Sequence, residues 1–115
     1  MAEKTRMICA SDLLADGGKG IRFEIATECG LQSAFVVRHD GKAYAYLNRC
    51  AHIGIELDWR PGEFFDDSGL YLVCATHGAT YQPDTGTCIA GPCRGARLTQ
   101  LAVYEQDGGV YLNRD

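Results

Sequence analysis

Two short knuckles, Cys50-Ala51-His52 and Cys74-Ala75-Thr76-His77, constrain this chain more than any other stretch. Each offers one thiolate and one imidazole, the ligand types that proteins use for zinc, copper and iron. They take two of the six cysteines and two of the three histidines, with 21 residues between His52 and Cys74. In a zinc finger the cysteines share one knuckle and the histidines the other. Here each knuckle is mixed, which suits a two-metal cluster whose ions are ligated differently. One zinc ion held by Cys50, His52, Cys74 and His77 is the alternative, since the spacing does not forbid a tetrahedral site.

The chain around the knuckles reads as all-β. It carries 14 glycines, and turn signals recur every eight to twelve residues. Met7 to Ala10 reads as a strand, followed by a turn at Ser11-Asp12 and the loop Asp16-Gly17-Gly18-Lys19-Gly20. Ile21 to Ile25 alternates apolar and polar, so one of its faces turns inward. Leu31 to Arg38 and Lys42 to Leu47 are strands joined by an Asp40-Gly41 hairpin, with His39 an exposed turn residue rather than a ligand. The second of these strands delivers the first knuckle, and Leu70 to Val73 delivers the second. A turn at Pro83-Asp84-Thr85-Gly86, a loop at Gly91-Pro92, and strands at Leu98–Tyr104 and Val110–Leu112 around Asp107-Gly108-Gly109 complete the chain.

Length and charge narrow the classes. At 115 residues there is room for one compact domain, with 46% hydrophobic and 23% charged residues. No run approaches the roughly eighteen apolar residues of a membrane span, and the N-terminus lacks a signal-peptide stretch, so a cytoplasmic location is expected. A net charge of −4 argues against nucleic acid and favours a partner with a basic docking face. Cys9, Cys29, Cys88 and Cys93 are expected as reduced, packing thiols. Cys88 and Cys93 flank the Gly91-Pro92 loop, where a local disulfide is the alternative. Trp59, Phe64 and Phe65 are core or cover residues; the sharper reading is an exposed docking patch.

The wider pattern resembles the Rieske 2Fe-2S family. It runs Cys50-Ala51-His52-Ile53-Gly54, then Cys74-Ala75-Thr76-His77-Gly78-Ala79-Thr80-Tyr81, then Gly86 to Pro92. The resemblance implies an antiparallel β-sandwich or barrel with a small inserted cluster-binding subdomain. The boundaries are a base of about 1–47 and 98–115 and a cluster-binding part of about 48–97. It implies one 2Fe-2S cluster, with both cysteines on one iron and both histidines on the other. Gly54, Thr76, Gly78, Tyr81, Gly91 and Pro92 would surround it. Glycines at 54 and 78 let backbone N–H groups approach the bridging sulfides. Gly91-Pro92 would form a stiff shielding loop.

Mixed ligation raises the potential, because two ferric ions, two sulfides and two thiolates sum to zero charge with neutral imidazoles. Such centres lie between about −150 and +300 mV. Within the family, high-potential respiratory members carry a disulfide between the ligand loops and a serine donor to sulfide. The matching positions here are Ile55, Thr76 and Ala79, while a tyrosine is kept as Tyr81. Fewer hydrogen bonds to sulfur imply a low-potential centre, nearer about −150 mV.

The resemblance thus implies a ferredoxin without a catalytic site of its own. It would pass electrons from a flavin-dependent reductase to a Rieske oxygenase, docking at the His52/His77 edge. A small Rieske-like subunit of a larger reductase, such as a nitrite reductase, is the alternative. The 21 residues between the knuckles exceed the usual spacing and read as a hairpin extension.

Overall fold

The run Ala34-Phe35-Val36-Val37 has no polar residue to turn toward water, and all four side chains are fully buried. A strand places successive side chains on opposite faces, so such a run needs cover on both sides. That requirement sets the architecture. The computed structural model describes residues 5–27, 30–49, 56–58, 62–74, 78–91 and 94–113. Among them are ten strands and one 3₁₀ turn, Ser11–Leu13, and no α-helix. No described helix is long and apolar enough to cross a membrane.

The strands are β1 (Thr5–Ala10), β2 (Ile21–Thr27), β3 (Gly30–His39), β4 (Lys42–Leu47), β5 (Leu72–Val73), β6 (Thr80–Tyr81), β7 (Cys88–Ala90), β8 (Gln100–Leu101), β9 (Val103–Gln106) and β10 (Gly109–Asn113). They form three sheets of order β1-β10-β9, β2-β3-β4-β8 and β5-β6-β7. Every strand pair is antiparallel. The β2-β3-β4-β8 sheet is the middle layer. Ala34 and Val36 pack with Val110 and Leu112 of the β1-β10-β9 sheet. Phe35 and Val37 face the other way, onto Leu57, Phe64, Leu72, Cys74, Ala79, Tyr81 and Cys88. The all-β, antiparallel expectation is met.

Turn chemistry follows the sequence. Asp40 and Gly41 both take positive φ (52° and 82°), as do Asp107 and Gly108 (50° and 79°), the geometry of tight two-residue hairpins. His39 departs from expectation. It closes the β3–β4 ladder opposite Lys42 and is half-buried rather than exposed. The expected strand Leu98–Tyr104 is two strands. β8 pairs with β4 and β9 with β10, so the chain changes sheets at Ala102. The strand expected over Leu70–Val73 is only Leu72–Val73, and Leu70 and Tyr71 stay exposed.

Two polar devices hold the layers together. Arg38 of β3 meets Glu105 of β9 through two parallel bonds, Nη1 to Oε1 at 3.0 Å and Nη2 to Oε2 at 2.6 Å. Its guanidinium also donates to the carbonyls of Leu14, Ser11 and Gly41. This hydrogen bonding raises the Arg38 pKa and lowers that of Glu105. On the other face, Tyr46 of β4 donates its hydroxyl to Pro83 O at 2.7 Å, anchoring the 82–86 turn. Burial pushes that phenol well above its ordinary pKa.

Candidate metal centre

The second knuckle begins where β5 ends. Cys74 is fully buried, and its N–H donates to Ala79 O at 2.8 Å. Gly78 N–H donates back to Cys74 O, also at 2.8 Å, so two hydrogen bonds close the turn that joins β5 to β6. Gly78 closes it with φ +74°, a conformation that a side chain would strain. The Gly78 N–H is thereby taken up by Cys74 O. Thr76 and His77 lie outside the described residues.

A second loop rests on the turn. Gly91, with φ +101°, approaches so closely that a Cβ there would stand 2.8 Å from the Ala79 Cα and 3.3 Å from Gly78 O. Gly91 thus packs against the second knuckle's turn, while Pro92 lies outside the described residues. Beneath them Tyr81, fully buried, pairs with Leu72 on one side and Cys88 on the other. Cys88 is buried as expected, its thiol donating to Ala90 O at 3.2 Å. Cys9 is half-buried, and burial raises its thiol pKa, as suits a packing thiol. Cys29 and Cys93 lie outside the described residues.

The first knuckle follows β4, and Cys50, His52, Gly54 and Ile55 lie outside the described residues. The residues that flank them in sequence are described. Asn48 is buried two positions before Cys50, and its N–H donates to Ser33 O at 2.8 Å. Its Oδ1 accepts from Leu57 N–H at 2.8 Å, and its Nδ2 donates to Asp58 Oδ1 at 3.0 Å. The other Asp58 oxygen accepts from Gly62 N–H at 3.0 Å and stands 3.7 Å from Arg22 Nε. Arg22 also pairs with Glu56 at 2.7 Å. Residues 48 and 56–58 therefore form a neck that brings the two ends of the first knuckle's loop together. Leu57 packs in the same core as Cys74, which ties this neck to the second knuckle.

The structure thus gathers Cys74, Gly78, Tyr81 and Gly91 around one turn. Asn48 and Asp58 were not singled out from the sequence: one carboxamide and one carboxylate ten positions apart give no local signal of pairing. The docking-patch reading fails for Phe64. That ring is fully buried, stacked on Phe35 with centroids 3.9 Å apart, and Phe65 is partly buried against the same core. Trp59 lies outside the described residues. The 62–74 part of the connection between knuckles is therefore core-forming.

Cys74 fits a metal–sulfur centre. Its sulfur sits at a strand end, packed in a core with Leu57, Leu72, Ala79 and Tyr81 and removed from water. Burial of this kind is one of the protein's controls on the potential of a thiolate-bound metal.

Comparison with known proteins agrees with this geometry. The family model for the Rieske [2Fe-2S] domain matches residues 5–110. The oxidoreductase NdmD of Pseudomonas putida is 31% identical over 93 residues, covering 75% of this chain but 15% of its own length. Among solved structures, the ferredoxin of carbazole 1,9a-dioxygenase from Nocardioides aromaticivorans IC177 superposes with a TM-score of 0.73 at 20% identity. That match covers 98% of this chain and 100% of the ferredoxin. The terminal oxygenase of carbazole 1,9a-dioxygenase from Novosphingobium sp. KA1 gives 0.76 at 23% identity, over 94% of this chain and 29% of the oxygenase. The chain thus spans a small part of the larger relatives.

Proposed function

The chain belongs to the Rieske [2Fe-2S] domain family, and from that premise we propose that it carries single electrons on one 2Fe-2S cluster. The observation behind this is the family match over residues 5–110, which contains both mixed Cys/His knuckles. Cys50 and Cys74 would give their thiolates to one iron, His52 and His77 their imidazoles to the other. Such a cluster supplies reversible one-electron exchange between about −150 and +300 mV. Gly54, Thr76, Gly78, Tyr81, Gly91 and Pro92 would shape its surroundings. The cluster-binding part, about 48–97, would sit on a base of about 1–47 and 98–115. The sheet order supports this division, since β5-β6-β7 falls wholly within the first range.

In this reading the chain is the ferredoxin of an oxygenase system. A flavin-dependent reductase is the donor and a Rieske oxygenase the acceptor, each docking transiently at the His52/His77 edge. Substrate oxidation would belong to the acceptor. Likeness to a carbazole-dioxygenase ferredoxin over that protein's full length supports this choice.

Ile55, Thr76 and Ala79 stand where the inter-loop disulfide and the serine donor would be, so we place the potential low in the family range. Voltammetry of the purified protein should give one reversible one-electron wave, nearer about −150 mV than zero. A midpoint above zero would contradict the low-potential assignment, and the absence of a reversible wave would contradict the carrier.

A further inference from the structure

Among the described residues, Asn48 and Asp58 are the two buried ones classed as polar or charged, and both are spent on one task. Their side chains bond each other and take two backbone N–H groups. Asn48 Oδ1 takes the Leu57 N–H, Asn48 Nδ2 reaches Asp58, and Asp58 takes the Gly62 N–H. Burying an amide and a carboxylate is costly unless every donor and acceptor is matched, and among the described residues no buried side-chain polar atom is left without a partner. The matching is directional. Asn48 must be acceptor to one neighbour and donor to the other, whereas Asp58 must be acceptor to both.

The neck spans residues 49–55, the stretch that carries Cys50 and His52. It also joins Leu57, part of the core that holds Cys74, to the end of β4. Hydrogen bonds behind metal ligands fix ligand orientation and are commonly worth a large factor in metal affinity. We propose that Asn48 and Asp58 are positioning residues for the first ligand loop: their pairing holds Cys50 and His52 in register with Cys74 and His77. The inference rests on the 2Fe-2S reading above.

The bonding pattern supplies its own test. In Asn48→Asp, two carboxylates face each other at the 3.0 Å contact with no proton donor between them. In Asp58→Asn, position 58 keeps a single oxygen for two donors, Asn48 Nδ2 and Gly62 N–H. Combining Asn48→Asp with Asp58→Asn restores all three bonds. The carboxylate at position 48 accepts from Leu57 N–H and from the amide at position 58, whose oxygen accepts from Gly62 N–H. Two peripheral contacts change: the 3.7 Å approach of Arg22 to position 58 loses its charge, and the long 3.5 Å bond from Asn48 Nδ2 to Ser33 Oγ loses its donor, so that Ser33 must donate instead.

Four readouts apply: amide hydrogen exchange at Leu57 and Gly62, thermal midpoint, the EPR signal of the reduced protein, and the rate of cluster loss to a chelator. Val36→Ala serves as the control, because it cuts the core between the middle sheet and the β1-β10-β9 sheet without touching the neck. Each single variant should expose both amides, broaden the EPR signal and lose its cluster roughly 10- to 100-fold faster. The double variant should restore wild-type exchange, signal and rate, and Val36→Ala should keep the wild-type signal and rate despite a lowered thermal midpoint. Should the single variants not fold, a double variant with wild-type signal and rate remains the supporting result. Single variants that hold the cluster as wild type does, a double variant no better than the singles, or Val36→Ala losing its cluster as fast as they do would each overturn the inference. A wild-type protein that binds no 2Fe-2S cluster would instead overturn the reading beneath it.

Discussion

At the scale of single residues, the second knuckle was the part most open to reading from sequence. Cys74, Gly78, Ala79 and Tyr81 lie within eight positions, so their arrangement is set by one turn and one strand pair. Gly91 acts from outside that window, and its two demands can be separated. Gly91 and Gly95 share the same left-handed backbone, at φ +101° and +95°, but a Cβ at Gly95 would meet nothing within 4 Å. Gly95→Ala therefore measures backbone strain alone, about 1–3 kcal/mol. Gly91→Ala adds a 2.8 Å collision with the Ala79 backbone, so its urea midpoint should fall further. Equal losses would mean that the third loop does not bear on the second knuckle. Asn48 and Asp58 were illegible for the opposite reason: their meaning lies in a contact across ten residues, and neither belongs to a hydrophobic pattern.

At the scale of elements, alternation predicted what it governs. β2 turns Ile21, Phe23 and Ile25 inward and Arg22 and Glu24 outward, as its pattern requires. Where the chain serves two sheets, alternation gives no warning, and the run from Leu98 to Tyr104 divides at Ala102. The same crossing makes the Arg38–Glu105 pair a link between layers. Glu105 has a folded pKa below its unfolded value, so the unfolded chain binds more protons in the acid range. The pair's contribution is complete above the ordinary carboxylate pKa and is lost as pH falls through the lowered folded value. With side chains 15% and 30% exposed, it should contribute about 1 kcal/mol. Glu105→Gln should lower stability near neutral pH by that amount and flatten the acid limb of a stability–pH curve. An acid limb unchanged by the substitution would show the link to be idle.

At the scale of the whole molecule, the all-β class followed from turn spacing, but the layering did not. The run Ala34 to Val37 announces a strand covered on both faces; which residues cover it depends on chain reversals that no local pattern records. The connection between the knuckles shows this most clearly. Read as a surface extension, it places Leu57 and Phe64 in the core, with Phe64 stacked on the middle sheet. Leu57, which follows the first knuckle, and Cys74, which opens the second, thereby share one packed layer, as a carrier would need for its cluster to keep one geometry through many electron transfers. That account stands or falls on the cluster itself. Quantifying iron and acid-labile sulfide in the purified protein should give about two of each per chain. A colourless, air-stable protein containing one zinc and no sulfide would contradict it.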